Sequence, residues 1–360
     1  MENKNLSQNK DKQRIEYIDL LKGFSILWVV LLHSYYRTGE ANEDLTEITW
    51  RTWLFVQYRM PLFFFASGIF FRLKPFKEFL TKRINTIIIP FLGFWLIGFL
   101  CAIVKYVLIA NYVSINFQGM GSFIDYATSL KGLFYLRPDV EPTLVNVPLW
   151  FLVALFIVQL IHFLCCNFIK KKTIIFFIGM VLFIISIYLK EEKITGLFYV
   201  TKFCNLYIFY LVGNFSGTYL TKMIQKKDTL IKLQICSLSV LIILPFVHTD
   251  YLLINELLMF IRVMCFFPVI FTLCKFTAHL KIMAPIKYCG KHSLEILATH
   301  FLLISLFSNL IEIPFGKLFS DSWLSMLFTF FICVALEYFV VIKFCNRYLF
   351  FLLGKSKRQI

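Results

Sequence analysis

The sequence predicts an all-α integral membrane protein, a polytopic bundle of about ten transmembrane helices with both termini in the cytoplasm. Hydrophobic residues make up 59% of the 360-residue chain and its mean hydropathy is +0.74, whereas soluble domains are about 45–50% apolar. Apolar runs of roughly 17–25 residues, the length that crosses a bilayer, recur along the chain. Lys and Arg are concentrated in alternate connections between these runs.

The apolar runs set the domain organisation. Because lipid offers no hydrogen bonds to the backbone, each run is expected to be a helix. We divide the chain into a cytoplasmic tail at 1–15, a membrane domain at 16–345 with a long external loop at 110–147, and a basic cytoplasmic tail at 346–360. The ten predicted spans are 16–36, 53–71, 84–109, 148–169, 173–189, 198–220, 229–247, 251–274, 293–312 and 323–345.

The net charge of +16 is explained by topology, without a nucleic-acid partner. The tails and alternate loops, counted with Lys343 at the end of the last span, carry 24 of the 37 Lys and Arg residues, and the opposite loops carry seven. The positive-inside rule therefore places both tails in the cytoplasm and supports an even number of spans. The basic loops are expected to lie against anionic membrane lipid. We expect a multi-pass protein of the inner (plasma) membrane.

Cysteine usage and the N-terminus exclude other classes. The ten cysteines lie in or beside the spans or in basic loops, so we expect no structural disulfide. Cys165 and Cys166 lack the spacing of metal ligands, so we expect no metal. The first apolar run is too long for a signal peptide and lacks a small-residue cleavage site, so we expect the mature protein to keep it.

Polar side chains at membrane depth are candidate functional residues, because each charge costs about 2.5–3.5 kcal/mol to insert. The first span carries Asp19, Lys22 and His33. An offset of 11 residues is three turns plus about 20°, with a rise of about 16.5 Å, so Lys22 and His33 share one face. Asp19 can pair with Lys22. A histidine is suited to take a proton from a hydroxyl, but spacing alone leaves a satisfied core histidine equally open.

Four further candidates lie on later spans: Arg59, Arg262, Glu295 and His300. Arg59 could serve a substrate or simply pair with Asp19 or Glu295. On the ninth span, Ser293 shares the face of His300, whereas Glu295 points about 140° away from it. Trp150 stands where an aromatic anchor at the membrane interface is an equal alternative to a binding role.

Five motifs, in the same order, resemble those of the membrane acyltransferase type 3 family, the polysaccharide and sugar O-acetyltransferases. They cover most of the chain and are RIEYIDLLKGFSILWVVLLHS, RMPLFFFASGIFF, TKRINTIIIPFL, VPLWFLVALF and GKHSLEILATHFLL. Two positions depart from the pattern. Lys22 stands where Arg is commoner, although Lys occurs in the branch that resembles fucose 4-O-acetylase. Leu297 stands where a tyrosine is often found.

The resemblance implies an O-acetyltransferase that uses acyl-coenzyme A, usually acetyl-CoA, from the cytoplasmic side. The acceptor would be a hydroxyl of a cell-surface or lipid-linked glycan. The family places its essential histidine at His33 and its essential basic residue at Lys22. A donor held at the Lys22 end would then present its thioester near His33, because the pantetheine arm is comparable to the rise between the two residues.

The predicted roles follow from this arrangement. His33 is the general base, Arg59 stabilises the oxyanion and Asp19 holds Lys22. The phosphates of the donor are bound by Lys22 and by basic residues of the 72–83 loop, chiefly Arg72, Lys82 and Arg83. The candidates for acceptor binding are Trp150, His300 and Glu295.

Two other functions and a second mechanism stay open at this point. The buried charges could line the path of a polysaccharide or lipid-linked glycan transporter, although the two inverted repeats typical of many transporters are not visible. A structural partner in an envelope assembly is a further alternative. Within the acyltransferase interpretation, an acyl-histidine intermediate competes with direct transfer.

Overall fold

The structure confirms the all-α fold class. It is a computed structural model that describes residues 2–37, 58–112, 146–192, 200–223, 227–244, 247, 249, 251–320 and 323–355. Every regular element in these ranges is helical, and no strand occurs in them.

Thirteen α-helices span these ranges. They are α1 (Glu2–Arg37), α2 (Arg59–Ile69), α3 (Phe76–Arg83), α4 (Ile89–Tyr112), α5 (Trp150–Phe168), α6 (Lys172–Glu191), α7 (Val200–Met223), α8 (Lys227–Ile243), α9 (Leu252–Thr277), α10 (Ala284–Lys291), α11 (Ser293–Ser320), α12 (Trp323–Leu336) and α13 (Ile342–Tyr348). π-Helical turns at Ile84–Ile88 and Glu337–Val341 join α3 to α4 and α12 to α13, and 3₁₀ turns precede α5 and α10.

Six helical stretches are long and apolar enough to cross a membrane, and each overlaps a predicted span. They are Glu16–Tyr35, Phe76–Cys101, Val147–Phe168, Lys172–Glu191, Leu252–Thr277 and Leu324–Tyr348. The protein is therefore a multi-pass membrane protein. The count of ten spans and the cytoplasmic position of the termini stay predictions.

The other four predicted spans also coincide with helices, namely α2, α7, α8 and α11. α2 has only 11 described residues and α8 has 17, which is short of the roughly 20 that a span needs. Positions 53–57 of the predicted second span, and most of the predicted external loop at 110–147, lie outside the described residues. α1 begins at Glu2, so the predicted tail at 1–15 continues the first span as helix.

α1 lies at the centre of the bundle, in contact with α2, α9, α10, α11 and α12. Its middle section is apolar around the helix, so several neighbours can bury it at once. The fully buried side chains on it include Leu20, Ile26 and Val30. A polar residue on α1 therefore faces another helix rather than lipid, which makes this helix the frame for the site.

α10 packs unusually close to α1. A Cβ atom at Gly23 would lie 2.0 Å from the Ile286 carbonyl oxygen, and one at Gly290 would lie 1.7 Å from the Asp19 carbonyl oxygen. Only glycine permits this approach, because any side chain would overlap backbone atoms. The contact fixes the C-terminal end of α10 beside the part of α1 that carries Asp19 and Lys22, which we call the Lys22 end.

Candidate active site

The structure brings together two histidines that lie near opposite ends of the chain. His33 is near the far end of the α1 span, and His300 is two turns into α11. Their ring centroids are 5.3 Å apart, with the ring planes inclined at 48°. The edge of the His33 ring also packs against Phe301, at 5.5 Å between centroids. Both histidines are predicted site residues, so a single site contains them.

The hydrogen bonding of His300 defines its tautomer. Its Nδ1 lies 2.6 Å from the Ile296 carbonyl oxygen, which can only accept a hydrogen bond. Nδ1 therefore carries a hydrogen and donates it. Nε2 is buried and has no hydrogen-bond partner within the described ranges. In the neutral ring this nitrogen bears a lone pair, so it can accept a hydrogen bond or a proton.

Arg59, the predicted oxyanion donor, stands at the first residue of α2 and close to this pair. Its carbonyl oxygen accepts a hydrogen bond of 2.8 Å from the hydroxyl of Ser25, which ties the start of α2 to α1. Its guanidinium interacts electrostatically with His300. The histidine pair therefore has a permanent cation nearby.

Asn146 is a buried polar residue, bound to the helix of His300, that the sequence interpretation did not single out. Its side-chain amide donates a 2.7 Å hydrogen bond to the carbonyl oxygen of Ala298, two residues before His300. The side chain is 2% exposed. Its Oδ1 has no hydrogen-bond partner in the described part of the chain. The available signal was its position directly before the fourth motif, which begins at Val147.

Trp150 begins α5, four residues after Asn146. It is half-buried, and the Lys202 ammonium lies 5.9 Å from the centroid of its ring. The ring of Phe151 packs against it at 6.4 Å. Trp150 therefore lies at the start of α5, close in sequence to Asn146, which is bound to α11. Its predicted part in acceptor binding stays a prediction.

At the Lys22 end, the Lys22 ammonium lies 5.4 Å from the centroid of the Phe70 ring, just beyond α2. Asp19 and Lys22 interact electrostatically, as predicted for neighbours one turn apart. Lys291 and His292, at the C-terminal end of α10, also act on Asp19. The close packing at Gly290 thus brings Lys291 and His292 to Asp19, and the sequence interpretation assigned neither residue to the site.

Lys82, one of the predicted donor-binding residues, lines a cavity of about 460 Å³ together with Lys291 and Lys355. These lysines come from α3, α10 and the segment after α13. The other lining residues are Asn85, Thr86, Leu294, Glu295, Leu353 and Gly354. We call this space the lysine cavity. Three ammonium groups around one cavity favour a polyanion such as a phosphate group.

Lys355 reaches the lysine cavity because of a glycine. Gly354 has a φ of 64°, and a Cβ atom there would lie 1.9 Å from the Asn85 carbonyl oxygen. This left-handed conformation and close approach suit glycine and few other residues. The sequence interpretation counted Lys291 and Lys355 only as loop charges, because nothing local to them indicates the cavity.

The other two predicted donor-binding residues lie outside this cavity. The guanidinium of Arg83 is 5.5 Å from the centroid of the Phe79 ring and interacts electrostatically with Tyr210. Arg72 is exposed in the segment before α3. Of the basic residues at 72–83 that were predicted to bind the donor, only Lys82 lines the lysine cavity with Lys291 and Lys355.

Glu295 is engaged away from His300. Its carboxylate accepts hydrogen bonds from Lys355 Nζ at 2.7 Å and Asn346 Nδ2 at 3.2 Å, and lies 2.9 Å from His292 Nδ1. It lines the lysine cavity. The structure therefore places Glu295 beside the lysine cavity, and its predicted role in acceptor binding stays a prediction.

Comparison with known proteins gives the family. A family model described as an acyltransferase domain matches residues 15–342. The chain belongs to the membrane acyltransferase type 3 family. The matched range includes His33, Arg59 and His300 and ends before Lys355. Searches of curated proteins and of solved structures gave no match.

One intramembrane cation of this acyltransferase has a structural role. Arg262 of α9 donates hydrogen bonds to the carbonyl oxygens of Leu244 and, at 3.5 Å, Val247, at the C-terminal end of α8. It binds carbonyl groups that follow the last turn of α8, where intrahelical donors run out. Within the described ranges, no cluster of three or more His, Cys, Asp or Glu residues could hold a metal ion.

The acyltransferase therefore has two polar regions along α1. One contains His33, His300 and Arg59, and offers a base and a cation. Asn146 is bound to the same helix as His300 and has an amide oxygen that is unsatisfied among the described residues. The other, at the Lys22 end, contains Lys22, Asp19 and the lysine cavity near them in the fold. A rise of about 16.5 Å along α1 separates Lys22 from His33. Such an arrangement suits a long substrate with an anionic head and a reactive tip.

Proposed function

We propose that this membrane acyltransferase is an O-acetyltransferase of the inner (plasma) membrane. It takes an acyl group, usually acetyl, from acyl-CoA on the cytoplasmic side. It transfers that group to a hydroxyl of a cell-surface or lipid-linked glycan. The observation that carries the proposal is the His33–His300 pair, since a charge-capable pair inside a membrane bundle is costly unless it has a function.

In the proposed mechanism, His33 removes the proton of the acceptor hydroxyl, whose oxygen attacks the thioester carbonyl. The tetrahedral intermediate collapses, the ester remains on the acceptor, and the thiolate of coenzyme A leaves with the proton. His300 supports this role, because its Nδ1–H is held by Ile296 and its Nε2 is left to accept an N–H from His33. That hydrogen bond would leave the other His33 nitrogen as the base.

Arg59 and Asn146 supply the other polar groups that the reaction needs. The guanidinium of Arg59 stabilises the oxyanion, a task typically worth about 3–4 kcal/mol per donor. The Oδ1 of Asn146 accepts a hydrogen bond from the acceptor sugar, since it has no partner in the described part of the protein. Trp150 would form the wall of the acceptor site, where sugar rings commonly contact aromatic faces.

The donor binds at the Lys22 end. Its phosphates contact Lys22 and the lysine cavity, where Lys82, Lys291 and Lys355 converge. Asp19 positions Lys22 through their electrostatic interaction. Arg72 and Arg83 belong to the outer part of this basic surface. The pantetheine arm then follows α1 towards His33.

The test replaces His33 with Ala and measures transfer from labelled acetyl-CoA to membrane glycan. We expect a loss of roughly 10²–10⁴-fold, the usual contribution of a general base. His279→Ala is the control, because His279 is exposed in the connection between α9 and α10. Activity close to wild type in correctly inserted His33→Ala would contradict the mechanism. Label retained on His33 without acceptor would indicate an acyl-histidine intermediate, and no labelled glycan with wild type would favour transport.

A further inference from the structure

A buried carboxyl group of the membrane domain has no part in the proposed reaction. Glu337 begins the π-helical turn between α12 and α13, within the apolar stretch Leu324–Tyr348, and it is 1% exposed. π-Helical turns inside α-helices are rare and occur frequently at functional sites. An acidic residue at membrane depth is also costly and calls for a function or a partner.

The hydrogen bonding around Glu337 indicates its protonation state. Thr299 Oγ1 lies 2.7 Å from Glu337 Oε1 and 2.7 Å from the carbonyl oxygen of Glu295. The hydroxyl has one hydrogen, and the carbonyl oxygen can only accept. Both contacts are hydrogen bonds at once only if the carboxyl group of Glu337 supplies the second hydrogen.

The rest of its surroundings oppose a negative charge. Glu337 Oε2 is buried without a hydrogen-bond partner in the described residues. The ionisable groups that act on Glu337 are Glu295 of α11, Cys289 of α10, and Cys333 and Cys345 of its own helices. Neither Asp19 nor Lys22 of the packed α1 interacts with it electrostatically. No cation therefore compensates a carboxylate within the described ranges, and the neutral acid is favoured.

We propose that Glu337 is a proton-binding site coupled to the lysine cavity. It is a neutral carboxylic acid that donates to Thr299, and it exchanges its proton with solvent. When Glu337 loses its proton, the carboxylate becomes an acceptor. The hydrogen of Thr299 then turns from the Glu295 carbonyl to Glu337. Exchange moves only a proton, from the carboxyl oxygen to water and back.

The connection to the lysine cavity runs through Glu295. Its carbonyl oxygen receives the hydrogen of Thr299, while its carboxylate is held by Lys355 in the cavity wall. An anion bound in the cavity competes with Glu295 for the Lys355 ammonium. The charge of Glu295 is then less compensated and acts more strongly on Glu337. This coupling rests on the proposed function in one respect, that the anion is the phosphate of coenzyme A.

Infrared spectroscopy of the purified full-length protein tests the site without any acyl transfer. We expect a carboxylic-acid C=O band at neutral pH that is absent in Glu337→Gln and shifts in D₂O. Glu337→Gln preserves shape and can still donate to Thr299. Glu256→Gln is the matched control, because Glu256 is a buried carboxylate of α9 already paired with Lys190, so this change should leave the band intact. No difference between wild type and Glu337→Gln would overturn the proposal, and a band that does not shift in D₂O would overturn proton exchange.

Coenzyme A without an acyl group tests the coupling. We expect it to shift the Glu337 band in wild type and to leave it unchanged in Lys355→Met, which removes the link to Glu295. A band that is present but insensitive to coenzyme A, in protein that binds it, overturns the coupling. If coenzyme A does not bind at all, the proposed donor is wrong. Inorganic pyrophosphate then takes its place as the probe, and a band that fails to respond to bound pyrophosphate also overturns the coupling.

Discussion

The two histidines of the site differ in what holds their rings. His300 is fixed by its own helix, because Nδ1 donates to the carbonyl oxygen of Ile296 one turn earlier. In the proposed mechanism His300 orients the ring of His33, because Nε2 of His300 accepts an N–H from His33. His300 is therefore a positioning residue, and its contribution should be limited to that of a single hydrogen bond.

Replacing His300 with Asn tests this division of roles. The Asn amide can still donate to Ile296, but it offers no acceptor at the place of Nε2. We expect kcat to fall about tenfold, the equivalent of one hydrogen bond of about 1.4 kcal/mol. The KM for acetyl-CoA should be unchanged, because the donor head is bound at the Lys22 end.

Steady-state kinetics on inserted protein provide the measurement, and His279→Asn is the matched control on an exposed histidine. A rise in donor KM with unchanged kcat would show that His300 serves the donor rather than His33. Restoration of activity in His300→Gln would show that an acceptor near Nε2 is sufficient.

Sequence reasoning reached some of these residues and missed others for identifiable reasons. The shared face of Lys22 and His33 follows from helix geometry alone, because both lie on one helix. Asn146, Lys291 and Lys355 each enter the site through a tertiary contact. The sequence around each of them is ordinary, so only the fold could reveal them.

At the scale of helices, the apolar runs predicted the long helices of the spans, but the short helices between them were not predicted. The stretches at 72–83 and 275–292 were predicted as basic loops, yet they contain α3 and α10. α10 has eight residues, too few for an isolated helix to persist in water. Its stability comes from packing on α1, which a pattern of hydrophobicity cannot show.

Gly290→Ala tests how much the site depends on that packing. The new methyl group would meet the backbone of Asp19 at 1.7 Å, so α10 has to move away from α1. We expect a loss of about 1–3 kcal/mol in stability, measured as a lower Tm in detergent. Donor affinity should fall as well, since Lys291 moves with α10.

Gly93→Ala is the matched control, because its methyl group would meet only the flexible side chain of Leu352. We expect a smaller change in Tm there and no change in donor affinity. Equal Tm values for both variants would mean that the α1–α10 contact is looser than the structure shows.

At the scale of the whole molecule, charge distribution and site geometry support each other. The segments 72–83, 275–292 and the C-terminal tail were predicted to lie on one side of the membrane from their Lys and Arg content. The structure brings one lysine from each into the lysine cavity. A charge bias that sets topology therefore also concentrates cations where an anionic donor would arrive.

Replacement of Lys291 tests the role of the lysine cavity in donor binding separately from the role of these lysines in topology. Lys291→Met removes one cation of the lysine cavity and leaves the α10 contact with α1 in place. We expect the Kd for acetyl-CoA to rise about tenfold or more, since a charged hydrogen bond contributes about 1.5–3 kcal/mol. Lys287→Met is the control on the same helix, because Lys287 binds Glu16 and the Ala278 carbonyl oxygen and does not line the cavity.

Comparison with Lys22 then locates the phosphates. Lys22→Met should weaken donor binding, and Lys22→Arg should preserve it, because Arg keeps the charge and can contact phosphate in a fork. If Lys22→Met weakens binding and Lys291→Met does not, the phosphates lie along α1, and the lysine cavity serves another anion. If both variants weaken donor binding, one donor molecule contacts both Lys22 and the lysine cavity. The losses should then be less than additive at low salt and shrink at high salt, because neighbouring cations contribute to a single screened field.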